Sequence, residues 1–443
     1  MATFLNKTKD DIESHKSIYT AKLIWEGFKD CIYSNGSFYQ WGGQVYKKID
    51  DIDWMILMCD RFPALNEFRP SLQKEIMEVY KRFSKIPVDE FNKEDGLCFL
   101  NTYLDLKNLY LHAHDKIRIN TILIPYNYDV TAQCELWLST LKVIFENDFN
   151  RINSLQEFFG YCLSKDTRYE KSMFLYGEGG TGKSVILDSL RDMIDIENVS
   201  FVSLRHFFDS VRLSSLQNKL INICTEVPPK AEDYEEMYKK IVSGEYIEVS
   251  PKYIPQYAFK PFVKLIFAIN DWPHIADKSS AFFRRMLVLG VNNAFTDENS
   301  DKDLKEKLKT ETPGILNWAI EGLKRIRKQK GFYITESMKE EIEEIKTQNN
   351  PIITFLKEHI REEQGKEILK TDLYKTYNTW CGLNGYKTLG SAKFGAELFR
   401  VYRRVTKKDA RHASGDRARI WPNITWASNP QIEDMVEWDG QDG

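Results

Sequence analysis

Residues 171–188, KSMFLYGEGGTGKSVILD, place Gly177-Glu178-Gly179-Gly180-Thr181-Gly182-Lys183-Ser184 between an apolar run and an amphipathic stretch carrying Val185, Ile186, Leu187, Leu190 and Met193. A strand, a glycine-rich turn and a helix in direct succession form one βα unit, which belongs in a parallel sheet with helices on its faces. Small residues in the turn let successive backbone N–H groups converge on phosphate, and the helix N-terminus adds its dipole. Lys183 then reaches the terminal phosphate oxygens, and the Ser184 hydroxyl completes a Mg²⁺ shell. The nucleotide-contacting set read from this spacing runs through Val185.

Composition narrows the remaining possibilities. A chain of 443 residues suits about three domains. With 42% hydrophobic and 13% aromatic residues it is not largely disordered. Its cysteines (Cys31, Cys59, Cys98, Cys134, Cys162, Cys224, Cys381) are scattered, odd in number and free of any C-x-x-C pair. That usage argues against a disulfide framework or a cysteine zinc site and suits a reducing cytosol, hence a cytoplasmic location. No apolar run approaches the ~18 residues of a membrane span, and MATFLNKTKDD lacks the apolar core of a signal peptide. Because the net charge is only -3, any nucleic-acid surface must be local.

Four zones divide the sequence. In residues 1–150, aromatic strands (37–41, 44–46) mix with helical patterns such as 72–83. The pair Asp51 and Asp53 has a spacing that could hold two metals, but acids opening a helix into Trp54 and Met55 account for it as well, and that reading is preferred. Residues 151–330 alternate strands and helices, with strands expected at 173–176, 199–204, 219–224, 262–269 and 285–289. Residues 331–428 open with a charged, solvated helix at 336–346 ending before Pro351, then two helical segments and short strands. Residues 429–443 carry five acids and no base, the composition of a disordered tail.

The apolar strand at 220–224 runs into Thr225-Glu226. In a P-loop sheet such a strand is expected beside the phosphate strand, where its acid holds the Mg²⁺ shell and polarises the attacking water. Glu226 is therefore the candidate base and metal ligand. Many ATPases carry Asp-Glu here, so whether Glu226 alone serves both metal and water is open at this point.

Residues 239–253, KKIVSGEYIEVSPKY, and 259–270, FKPFVKLIFAIN, complete a pattern that resembles the superfamily 3 helicases, specifically the poxvirus-type and phage or plasmid primase-helicases. The resemblance implies a fold and a set of roles. The fold is an AAA+ P-loop core with a parallel sheet, flanked by an α-rich (α+β) amino-terminal collar-like domain and a carboxy-terminal winged-helix-like domain. The extra motif implies a β-hairpin in the channel of a ring, with Lys252 and Tyr253 at its tip. A lysine supplies a sequence-blind phosphate contact and a ring offers a stacking surface. Lys239, with Lys240 as substitute, would reach a neighbour's nucleotide, and Asn270 would sense the γ-phosphate. From residues 277–291, DKSSAFFRRMLVLGV, Arg285 is the first candidate for an arginine entering the adjacent subunit's site, and Arg284 the second. Residues 311–322 resemble the family's helical lid.

The resemblance extends, more loosely, to both ends. Residues 98–106 and 124–129 look like the amino-terminal helicase-associated region, although Thr102, after Asn101, stands where glycine is usual. Residues 373–381 and 390–398 are similar to the closing winged helix. Between Lys393 and Trp421 nine lysines and arginines face three acids, and Phe394, Phe399, Tyr402 and Trp421 interleave with them. A stripe of that kind suits a duplex or fork contact. The implied protein is an ATP- and Mg²⁺-dependent replicative DNA helicase of a phage, virus or mobile element. It would be a homo-oligomer, a hexamer by resemblance, moving 3′ to 5′ on single-stranded or forked DNA. Two other readings stand beside it: an ATP-regulated DNA-binding initiator or loader without strong unwinding, and a complete primase-helicase, disfavoured because only Asp51 and Asp53 hint at a polymerising site; the chain as the helicase portion of a primase-polymerase also stays open.

Overall fold

The computed structural model describes residues 16–225, 234–270, 272, 280–295, 301–348, 351–384, 386, 388–402, 408–411 and 417–427. They form two compact units, one up to Met338 and one from Lys339.

The first unit is built around five strands, Ser172–Tyr176, Val199–Ser200, Ile221–Cys224, Lys264–Ile269 and Met286–Gly290. All pairings are parallel. Almost every residue in them is buried, as expected of a sheet covered on both faces. The lateral order is Met286–Gly290, Ser172–Tyr176, Lys264–Ile269, Ile221–Cys224, Val199–Ser200. This corrects one expectation: the strand leading to Glu226 does not lie beside the phosphate strand. Lys264–Ile269 intervenes, pairing Ile266 to Ile269 with Met173 to Tyr176 on one side and Lys264 to Phe267 with Ile221 to Cys224 on the other. Six consecutive buried residues give it two apolar faces and so the central place.

The run expected at 199–204 also stops early, at Ser200. The Asn222 side chain takes over from the ladder: its Oδ1 accepts from Val202 N at 2.8 Å and its Nδ2 donates to Val202 O at 2.9 Å. An amide side chain thus satisfies backbone groups that a longer strand would have paired.

Helices Phe149–Leu163 and Thr312–Gln329 pack with their backbones in contact. A methyl added to Gly160 would lie 2.3 Å from Leu323 N, and one on Gly322 would lie 2.1 Å from Gln156 O. Across the same seam the buried Glu157 accepts from Arg325 Nε at 2.7 Å, Gln329 Nε2 at 2.9 Å and Tyr333 N at 3.0 Å. The carboxylate is thereby paired and fully hydrogen-bonded, the condition on which a buried charge is tolerated.

Upstream, strands Cys31–Ser34, Ser37–Trp41 and Tyr46–Ile49 form an antiparallel sheet. Phe38 from this sheet, Trp54 and Met58 from helix Asp51–Arg61, and Tyr80 from helix Pro70–Phe83 share one apolar cluster. Asp50 caps the Asp51–Arg61 helix, accepting from Asp53 N at 2.7 Å, and Asp51 pairs with Lys81 at 2.9 Å. A mixed sheet follows, containing Gly96–Phe99, Tyr103–Asp105, Leu111–His112 and Leu123–Ile124. Asn101 ties it together, donating to Tyr128 O at 3.1 Å and accepting from Tyr128 N at 2.9 Å. Leu97 to Phe145 contribute to the same apolar core as the parallel sheet.

The second unit holds helices Pro351–His359, Lys370–Leu383 and Ser391–Val401 with an antiparallel sheet of Ile360–Leu369, Arg417–Trp426 and Lys408–Arg411. The ten-residue strand Ile360–Leu369 between the first two helices corrects the expectation of two helical segments followed by short strands. Its sequence, IREEQGKEIL, buries only Ile360 and Ile368, so its pairing with Arg417–Trp426 decides its conformation. Arg403, Arg404, Lys407 and the acidic residues 429–443 lie outside the described residues.

Replacing Gly322 by Ala should lower the stability of the first unit by about 1–3 kcal/mol through overpacking. A thermal melt checks this, and an unchanged midpoint would contradict the backbone contact.

Candidate nucleotide site

The Gly177–Lys183 turn hangs between two strands. Gly177 N donates to Ile269 O at 3.2 Å on one side, and Val291 N donates to Tyr176 O at 2.7 Å on the other. Gly182 has φ +99° and caps helix Lys183–Ile194, and Gly180 has φ +77°. A Cβ on Gly177 would strike Val291 O at 2.1 Å, and one on Gly182 would meet the Ile144 side chain at 3.0 Å. Glycine at these positions is therefore a requirement of shape as well as of backbone conformation. The Thr181 hydroxyl donates to Glu178 O at 3.0 Å and holds the curve.

Beside the turn lies a cavity of about 700 Å³, lined by Gly179 to Val185 and reached by Thr225 and Asn270 from the ends of two neighbouring strands. Its size is that of a nucleotide-sized ligand site. The Lys183 ammonium donates to Gly177 O at 2.6 Å and to Glu178 O at 2.7 Å, and burial holds its pKa below the ordinary lysine range. Arriving phosphate oxygens would take over those two bonds and favour the charged form.

The other walls come from segments that motif spacing did not reveal. Thr140, Val143 and Ile144 lie on helix Glu135–Ile144, Phe295 follows the last strand, and Asp301, Lys302 and Lys305 lie in or just ahead of helix Leu304–Thr310. Glu311, which opens the segment that resembles a helical lid, accepts from Leu136 N at 3.0 Å and Trp137 N at 2.8 Å. It caps the helix whose far end walls the cavity. The apolar spacing of 135–144 could reveal a buried face, but not that this face meets a nucleotide turn.

The remaining predicted residues divide by position. Glu226 lies outside the described residues, while its neighbour Thr225 lines the cavity. Lys239 is half-buried on helix Tyr234–Ser243, and Lys240 pairs with Glu236 at 2.7 Å. Strands Ile247–Val249 and Tyr257–Phe259 make a two-stranded antiparallel hairpin. Lys252 is exposed at its tip, and Tyr253 is fully exposed with φ +65°. Ile254 seats the hairpin against the Gly36 turn, and Tyr246 donates to Asp89 at 2.9 Å.

Arg284 and Arg285 precede a strand that pairs Met286 with Ser172 and Gly290 with Tyr176, so both stand at the end of the sheet remote from their own nucleotide turn. Arg285 is 6% exposed. Its guanidinium donates to Ala281 O at 2.6 Å and Ser243 Oγ at 2.8 Å, and pairs with Glu170 at 2.9 Å. Arg284 has 63% of its side chain exposed and touches Glu170 at only 3.5 Å. The first-ranked arginine is thus an internal strut, and the second is the one that projects, because alternate residues near a strand start face opposite sides.

Three family profiles match the chain. D5 N terminal like matches residues 21–146, a family of unknown function (DUF5906) matches 175–285, and Poxvirus D5 protein-like matches 347–417. No curated protein matches it. Among solved structures, the A form of the apo NrS-1 C terminal region is 12% identical with a TM-score of 0.51, over 92% of this chain and 99% of that one. A further apo structure of the same region is 13% identical with a TM-score of 0.51, over 93% and 100%. At such identities the likeness is one of fold. The two D5 profiles support a D5-type primase-helicase of superfamily 3.

Replacing Arg285 by Ala should destabilise the first unit by roughly 3 kcal/mol, because it removes the closer cation from Glu170 and the donor to the Ala281 carbonyl and Ser243. Arg284→Ala should leave the melting midpoint within about 0.5 kcal/mol of wild type. Denaturant unfolding of the two variants distinguishes strut from projecting residue.

Proposed function

We propose that this chain is an ATP hydrolase that moves along single-stranded DNA and unwinds it as a ring of identical subunits, with the first unit as an AAA+ motor. The reading rests on one observation above all. Strand Lys264–Ile269 is preceded by the hairpin that displays Lys252 and Tyr253, and it ends at Asn270 in the nucleotide cavity. Six residues of strand span about 20 Å. A displacement felt at Asn270 is thus carried along a rigid element to a cation and a ring suited to gripping a polynucleotide.

In this mechanism the turn amides and Lys183 bind the phosphates, and Ser184 and Glu226 would hold Mg²⁺, which supplies charge neutralisation on the β- and γ-oxygens. Glu226 accepts the proton of the attacking water, and Asn270 orients that water or the γ-phosphate. Arg284, with Lys239, acts across the subunit boundary; Arg285 fixes the segment from which Arg284 projects. The order of the two arginines is reversed here because the Arg285 guanidinium is held by Ala281 O and Ser243 Oγ, whereas the Arg284 side chain is 63% exposed. Family resemblance supports a hexamer and 3′ to 5′ travel. The second unit, with its helices, paired strands and basic stripe, is read as a winged-helix-like module for duplex or fork, and residues before about 150 as a collar.

Lys183→Ala should abolish ATP hydrolysis. Lys252→Ala should keep basal hydrolysis and lose strand displacement on a forked substrate. Arg284→Ala should lower turnover of the assembled protein by about 10³-fold or more. Strand displacement that survives loss of Lys252 would sink the hairpin's role, and turnover indifferent to Arg284 would sink the shared site.

A further inference from the structure

A second cavity, of about 870 Å³, lies at the opposite end of the sheet from the nucleotide turn. Its position follows from its lining: Lys165, Asp166, Arg168 and Tyr169 come from the segment between helix Phe149–Leu163 and the start of the phosphate strand. Lys93, Lys107, Arg327 and Lys330 complete the wall, so six cations face two acids, Asp95 and Asp166. In a chain with a net charge of -3 this is a strong local bias.

The two acids are already engaged. Asp95 pairs with Arg327 at 2.8 Å and accepts from Lys165 N at 2.8 Å, while Asp166 pairs with Arg168. Lys107 and Lys330 are exposed and have no acidic partner among the described residues. Lys330 holds φ +59° as the C-cap of helix Thr312–Gln329, a left-handed conformation uncommon for a side-chain-bearing residue. The Lys165 ammonium bonds the carbonyls of Glu94 and, at 3.1 Å, Gly96. Burial draws its pKa down to about 8, a shift that an arriving anion would reverse.

A smaller cavity of about 390 Å³ adjoins it, with Lys93, Lys165 and Asp166 lining both. That second chamber is walled by Tyr246, Phe259 and Lys260 at the base of the Lys252-Tyr253 hairpin, and its further acid, Asp89, is engaged by the Tyr246 hydroxyl at 2.9 Å. A trough of cations with rings at intervals leads from Lys330 and Lys107 to the hairpin. A compact anion would fill one chamber. Only an extended polyanion uses both, and Tyr169 and Tyr246 offer it ring surfaces.

We propose that this trough holds the phosphate backbone of the single strand gripped by the hairpin, with Lys107 and Lys330 as its outer phosphate contacts. The proposal rests on the DNA-translocase reading above and assigns the strand a path across the protomer. The experiment measures binding of a fluorescein-labelled 20-nucleotide oligothymidylate to the full chain with a non-hydrolysable ATP analogue, by anisotropy, across a salt series. Lys107→Glu with Lys330→Glu should weaken binding about tenfold or more and reduce the salt slope by about 1.4, the value for two lost phosphate contacts. The neutral pair Lys107→Gln and Lys330→Gln should give the same slope change with a smaller loss. Lys328→Glu, on the same helix but outside the trough, should bind as wild type. Melting curves confirm that each variant is folded. Affinity and slope unchanged in both double variants would overturn the trough while leaving the hairpin motor intact. The trough is equally overturned if both lysines matter only for competing inorganic tripolyphosphate. A wild-type protein that binds no oligonucleotide would overturn the trough and the translocase reading together.

Discussion

The ladder that pairs Ser172–Tyr176 with a neighbour on each side is the constraint from which the site's geometry follows. Because all five strands run the same way, their carboxyl ends gather at one edge, bringing together the glycine turn, Thr225 and Asn270. Their amino ends gather at the other edge, where Arg284, the hairpin and the basic trough stand. Helix-covered parallel sheets place ligands beyond their carboxyl ends for this reason. The separation of the cavity beside the glycine turn from the hairpin is thus a consequence of strand direction.

That geometry also explains the pattern of buried charge in the first unit. Glu157, Arg285 and Lys264 are each nearly or fully buried, and each is surrounded by fixed partners. Lys264, at the start of the central strand, donates to Ser164 O at 2.9 Å and Phe262 O at 2.7 Å and lies 4.4 Å from the Tyr161 ring centre. Its pKa falls to about 8 through burial. Such groups contribute little net stability relative to apolar replacements, but they are costly to leave unpaired. They fix the relative positions of the helices and the strand starts.

Much of this was legible in the sequence, for identifiable reasons. Ser172–Tyr176, Lys264–Ile269 and Met286–Gly290 were legible because a doubly buried strand is a mainly apolar run, and the glycine turn because its backbone conformation and crowding admit little else. The hairpin was legible through its position between two such strands. What misled were cases in which a polar side chain or a distant partner replaced a local rule. Asn222 ended the neighbouring strand early by bonding Val202. Ile360–Leu369, rich in charge, became a strand because Arg417–Trp426 lay alongside it. The consecutive arginines read alike in one dimension, yet Ser243 and Ala281 hold Arg285, whereas Arg284 is largely exposed and reaches Glu170 only at 3.5 Å.

By itself, the amino-acid sequence determined the glycine turn between strand and helix, the alternation that builds a parallel sheet, and the likeness to D5-type proteins, since these depend on residue type at short spacing. Tertiary structure alone decided which strand is central, which arginine projects, and which distant helices wall the cavity. It also brought lysines from positions 93, 107, 165 and 330 into one trough. The physical reason is that packing and pairing are settled between segments far apart along the chain, where partner choice outweighs local preference and leaves no periodic trace.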